Sequence, residues 1–235
     1  MNMTQHVSDA SRARRSHLGW CLGLPLLVGL LTACSGTLLP KPPAAPTRHT
    51  LDGASVERGA AALGRTPAAA LAAASVLVVA VPRAAPGHDS TRMVYLQQPR
   101  ELRAFAHNEW VDTPAQMLAP LMVRALQDSG AFRVVLLAPS GATGALRLET
   151  ELIRLQQDFG SQPSQVRLTL RAVLVDAVTR QAVAWREFDE SVAAPSDSPA
   201  GGVQAAHQAT QRVLQALASF CAQQAQQRAA STAGR

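Results

Sequence analysis

The residues best placed to do chemistry are Leu31-Thr32-Ala33-Cys34. A thiol that follows two small side chains at the end of an apolar run is a nucleophile that a membrane-bound enzyme can reach. Ahead of it, Arg12, Arg14 and Arg15 form a positive segment, and residues 18–31 carry no formal charge and are mostly apolar. This is the layout of a secretory leader. The apolar run is shorter than the roughly 20 residues that a spanning helix needs. The four residues resemble the bacterial lipobox, which implies diacylation of the Cys34 thiol, cleavage of residues 1–33, and acylation of the new amino terminus. The lipid is then covalent: an N-acyl chain and an S-diacylglycerol on Cys34. An ordinary secretory leader with an incidental cysteine is the competing reading. Ser35 stands where an aspartate signals inner-membrane retention in enteric bacteria, so the expected destination is the outer membrane, facing the periplasm.

Other chemistry is sparse. The sequence has no G-x-S-x-G, H-E-x-x-H, P-loop or G-x-G-x-x-G motif. Glu149 and Glu151 share one strand face and mimic a catalytic carboxylate pair. They lie beside Arg147 and Arg171, away from the strand ends and loops where sites gather, so salt bridging is the better explanation. Ser140 and Ser161 fall in turns with no histidine close in sequence. His49, His88, His107 and His207 are scattered, and no Cys or His cluster has zinc spacing. With Cys21 in the leader and Cys34 acylated, Cys221 stands alone as a small apolar residue of the last helix. No enzyme, metal or bound cofactor is expected.

Charge narrows the partners. The leader holds three of the 22 Lys+Arg and one of the 16 Asp+Glu, so the mature chain has a mild basic excess. That excess is spread along the chain, whereas nucleic-acid binders cluster it.

The elements that would position partner-binding groups follow from patterning. Pro40, Pro42, Pro43 and Pro46 favour an extended tether over residues 34–74. Within it, Arg48-His49-Thr50-Leu51 is a candidate to pair with the domain edge, and residues 53–74 read as flexible or weakly helical. The folded domain is expected over residues 75–228, with a disordered tail at 229–235. Residues 76–81 read as a buried strand, 82–90 as a loop, and 93–96 with 102–106 as two strands around Gln98-Pro99-Arg100. Thr113-Pro114 is a helix start, with a hydroxyl cap and a proline at the first position. Met117, Leu118, Leu121, Met122, Ala125 and Leu126 line one face of that helix, Pro120 threatens a kink, and Gly130 ends it. Residues 132–137 follow as a strand.

Leu146, Leu148, Thr150 and Leu152 alternate with charges, as do Leu168, Leu170, Ala172 and Leu174. A turn centred on Ser161 places Leu152 opposite Leu170, Leu148 opposite Leu174 and Glu151 opposite Arg171. Hydrophobic and charge patterns therefore agree on one register. A third strand over 183–192 leaves the face of Trp185 open. A closing helix is expected over 203–227 after a loop at 196–202. The sum is an α+β fold: one compact domain with a largely antiparallel sheet packed by two main helices.

On the second face of the sheet, Ile153, Leu155, Val173 and Val175 interrupt a polar surface. With Trp110, a candidate exposed aromatic, they are the candidate partner-binding residues. Covering by the tether or a helix, self-association as a homo-oligomer, and docking to another protein all remain open for this face. Trp110 has the further option of packing against the first helix.

Together the lipobox, Thr50-Leu51-Asp52 after a Pro-rich tether, Ser75-Val76-Leu77-Val78, Asn108-Glu109-Trp110-Val111 before Thr113-Pro114, and Ser129-Gly130 resemble the ABC-type transport auxiliary lipoprotein family. The chain departs from the family in lacking aromatics near His49 and in its Ala-rich stretch 53–74. The resemblance implies a periplasmic, non-catalytic accessory subunit. Its implied company is an MCE (mammalian cell entry) protein, a permease and an ATPase that move lipid. A structural or assembly lipoprotein of the envelope is the alternative; a hydrolase has no supporting motif.

Overall fold

The computed structural model describes residues 44–52 and 75–233. Cys34, the leader and residues 53–74 lie outside the described residues, as do 234–235. The strands are β1 (Thr47–His49), β2 (Val76–Val79), β3 (Arg83–Ala84), β4 (Arg92–Gln98), β5 (Glu101–Trp110), β6 (Val134–Leu137), β7 (Leu146–Asp158), β8 (Gln165–Asp176) and β9 (Ala182–Ala193). The helices are α1 (Pro114–Asp128) and α2 (Pro199–Ala233). This is an α+β domain.

The meander β7-β8-β9 is its frame. Leu148 faces Leu174, Leu152 faces Leu170 and Glu151 faces Arg171, the expected register. The other edge of β7 takes three strands in succession, all parallel to it: β2 at residues 146–148, β3 at 151–152 and β4 at 157–158. β6 then pairs parallel with β2, and the β4–β5 hairpin carries β1 parallel to β5. The sheet is therefore mixed, antiparallel in its long ladders and parallel in its short ones.

Between Leu152 and Arg154 the β7–β8 ladder shifts by one residue, leaving Ile153 as a β-bulge. A bulge adds one residue to one strand and swaps the faces of everything after it. Leu155 thus turns into the core, 3% exposed, a correction to its expected place on the second face.

Both helices pack on the inner face. Thr113 Oγ1 accepts from the Gln116 amide and Pro114 opens α1, as the sequence signals; Gly130 follows the cap with φ +64°. The buried face of α1 is Ala115, Leu118, Ala119, Met122, Ala125 and Leu126, with Pro120 exposed and the helix continuous through it. Met117 and Leu121 are only half-buried, so the stripe lies slightly rotated from the expected one. α2 begins at Pro199 rather than 203. Ser198 repeats the cap seen at Thr113: its Oγ accepts from the Gly201 amide at 3.1 Å, with a proline at the first helical position. Gly201 and Gly202 read as a loop in sequence, yet they are needed for close packing. A Cβ at Gly201 would strike the Ser196 carbonyl, and one at Gly202 the Gln157 side chain. At its other end α2 runs to Ala233, so residues 229–233 are helical and not a tail.

The segment before residue 75 is not all tether. β1 adds a strand beside β5, His49 Nε2 meets Asn108 Oδ1 at 3.0 Å, His207 Nε2 meets the Thr50 carbonyl oxygen at 2.9 Å, and Leu51 is buried.

Candidate binding surface

The outer face of the meander is a ladder of paired charges. Arg167 grips Asp189 through Nε and Nη2 on one guanidinium edge, Thr169 also donates to Asp189 at 2.6 Å, and Arg171 spans Glu151 at 3.3 Å and Glu187 at 3.0 Å. Arg147 pairs with Glu149 at 3.2 Å. The Arg167 hydrogen bonds, then that of Thr169, hold the Asp189 carboxyl down at about 2. Glu149 and Glu151 are thus occupied by arginines, with no acid–base geometry about them. At both ends of the ladder the charges face solvent, where each pair contributes little to stability.

Toward the β8–β9 turn the same face becomes apolar. Val173 sits directly opposite Trp185, and Val175 opposite Ala182. Trp185 is 68% exposed and Val178, in the turn, 83%. Val173, Val175 and Ile153 are half-buried. The register between β8 and β9 settles what alternation in β9 left open: Trp185 points outward.

Trp110 does not. It is 4% exposed within the core, beside Met93, Leu155 and Ala206, so of the two readings open for it in sequence, exposed aromatic and packed residue, the exposed one is corrected. β1 and β4 flank Trp110 on its two sides, with His49 its register partner and its amide bonded to the Thr91 carbonyl. A strand flanked on both edges buries its inward residues, and that placement was not visible in the local sequence.

The bulge at Ile153 creates one more unusual contact. The Leu155 amide, lacking a strand partner between β3 and β4, donates to His88 Nδ1 at 3.4 Å. That bond requires a neutral ring, and burial, then Arg154, lowers the His88 pKa. Cys221 is fully buried and burial pushes its thiol up to about 12, so it is inert. Among the described residues there is no cluster of metal-ligating side chains, and no helix long and apolar enough to cross a membrane.

A family model for the ABC-type transport auxiliary lipoprotein component matches residues 59–218. The chain belongs to that family. The match spans from before β2 into α2 and takes in both helices and the meander. The auxiliary lipoprotein fold is also seen in the crystal structure of protein XCC0632 from Xanthomonas campestris. That protein is 27% identical with a TM-score of 0.62, over 66% of this chain and 87% of the other. A crystal structure of an uncharacterized protein shares the fold at 12% identity and a TM-score of 0.57, over 75% of this chain and 99% of the other. No curated protein matches the sequence. Membership makes the chain an auxiliary component of ABC-type transport and a lipoprotein of the cell envelope.

Proposed function

We propose that this auxiliary lipoprotein is anchored in the outer membrane by lipid on Cys34 and faces the periplasm. There it serves as a non-catalytic accessory subunit of an MCE-type lipid transport system, meeting an MCE protein whose permease and ATPase drive transport. The observation that carries the reading is the coincidence of a lipobox with a family match over residues 59–218. Between Cys34 and Thr47 the 13 residue steps reach at most roughly 45 Å when fully extended. Anchoring then confines the domain to a thin layer of periplasm and raises its effective concentration against a partner that crosses that space. The paired charges and apolar patch of the outer face suit binding, and no nucleophile or acid–base pair accompanies them.

The test is Cys34→Ala in cells fed a clickable palmitate analogue. The wild-type chain should incorporate label and sediment with outer membranes, and the variant should lose both. Unchanged labelling and fractionation in the variant would overturn the anchor. Affinity purification of the wild-type chain from detergent-solubilised membranes should recover an MCE protein; recovery of an unrelated envelope assembly machine instead would overturn the transport role.

A further inference from the structure

The domain has two unlike ends. One holds the β4–β5 turn, the β7–β8 turn and the start of α2; the other holds the β8–β9 turn, the 138–144 loop and the starts of β2, β6 and β7. β1 runs parallel to β5, so the chain enters it from the side of the β4–β5 turn. The apolar part of the outer face lies at the opposite end. Val173 and Val175 on β8 and Trp185 on β9 form it, and on β7 the Arg147–Glu149 ion pair stands between them and the buried Val78 of β2. Beside this patch an open hollow of about 780 Å³ is lined by Val78, Pro139, Arg147 and Val178.

The charges there are one-sided. On the half of the outer face nearest this end, Glu149, Glu151 and Glu187 are each bonded to a sheet arginine. Asp176, in the turn itself, is drawn inward: it accepts from the Val178 and Thr179 amides at 2.8 Å and pairs with Arg228. Arg133 and Arg180 are exposed at the two flanks of this end, and neither makes an ion pair with a described residue. The end therefore presents an apolar centre with a tryptophan, bordered by two cations.

From this we infer that the β8–β9 end is the docking surface for a partner protein whose contact patch is apolar and rimmed by Asp or Glu. The inference rests on the reading of the chain as an anchored accessory lipoprotein and names the surface by which it works. Trp185 is the anchor residue, since large aromatics at the centre of an interface carry much of its energy. Arg133 and Arg180 steer the encounter and fix its orientation.

The test uses the full lipidated chain in cells, with p-benzoylphenylalanine placed singly at 178, at 185 and, for comparison, at 98 on the far end. The expected result is a protein adduct from 178 and 185 but not from 98, whose cross-linked peptide contains Asp or Glu flanking apolar residues. Adduct from 178 should fall roughly tenfold or more in Trp185→Ala, and also in the double charge reversal Arg133→Glu with Arg180→Glu. Circular dichroism and an unchanged melting temperature show that these exposed substitutions leave the fold intact. An adduct of twice the chain mass, an adduct with lipid alone, equal cross-linking from 98, or indifference to charge reversal would each overturn the inference. The two readings also separate: an acidic-rimmed partner captured from 178 that is no transport component keeps the docking end and removes the transport role. A transport component captured from 98 alone does the reverse.

Discussion

At the residue scale, the ionisable groups that matter are those whose hydrogen bonds require one protonation state. His88 must be neutral to accept from the Leu155 amide, and burial, then Arg154, lowers its pKa from 6.5. The unfolded chain takes up a proton that the folded ring resists, so this contribution is complete above pH 6.5 and is lost as pH falls toward the folded value. Asp189 acts at lower pH. Held at about 2 by Arg167 and then Thr169, it contributes above the unfolded value of 3.8, and that contribution is lost as pH falls toward 2. Urea unfolding followed from pH 7.5 down to pH 2 should show both losses. His88→Asn should flatten the slope between pH 7 and 5 while leaving the acid limb; Asp189→Asn should shrink the acid limb alone. A His88→Asn variant that keeps the wild-type slope in the upper range would mean that the Leu155 contact carries no such linkage. None of this was visible in the sequence, because His88 finds its partner 67 residues away and only through the Ile153 bulge.

Among the elements, the two helix starts make a matched pair. Thr113-Pro114 and Ser198-Pro199 use the same device, an oxygen that accepts an otherwise unpaired first-turn amide and a proline that needs no partner. The first was legible; the second was obscured by Gly201-Gly202, whose glycines signal a loop in sequence and a close approach in three dimensions. Ser198→Ala should cost about 1 kcal/mol, seen as a fall in melting temperature of roughly 2–4 °C for a domain of this size. Thr113→Ala should cost less, since its bond is longer, 3.4 Å against 3.1 Å. The two losses should add, because the caps serve separate helices. An unchanged melting temperature in Ser198→Ala would place the start of α2 downstream of the cap. The long hairpin was the element best specified in advance. Its alternation and its charge pairs agreed on one register, and only beyond Leu152 did the ladder slip by a residue and carry Leu155 inward.

Taken as a whole molecule, the domain is closed by a strand from within the tether segment, where Arg48-His49-Thr50-Leu51 was the candidate to pair with the domain edge. β1 adds to the outer edge of β5, and Leu51 inserts into the core next to it. Burial of a leucine contributes about 1.5–3 kcal/mol, and the strand also covers an edge that would otherwise be free to pair. A chain beginning at residue 44 should therefore unfold at higher denaturant than one beginning at residue 75. Amide exchange at Val111, whose N–H donates to the His49 carbonyl oxygen of β1 at 2.8 Å, should be slower in the longer chain. Coincident midpoints would show that β1 adds no stability.

The sequence by itself determined what depends on neighbours within a few residues: the capped start of α1 and the alternation that sets the β7–β8 register. Those signals are local, because side-chain period and capping act over one turn or one strand pair. Family membership was legible for the same reason, through short motifs strung along the chain. Only tertiary structure decided which aromatic faces solvent. Trp110 is buried because β1 and β4 flank it, and Trp185 is exposed because the β8 register turns it outward. Burial is a property of what arrives from elsewhere in the chain, and three separate strands arriving on one edge of β7 leave no trace in the residues of β7 itself.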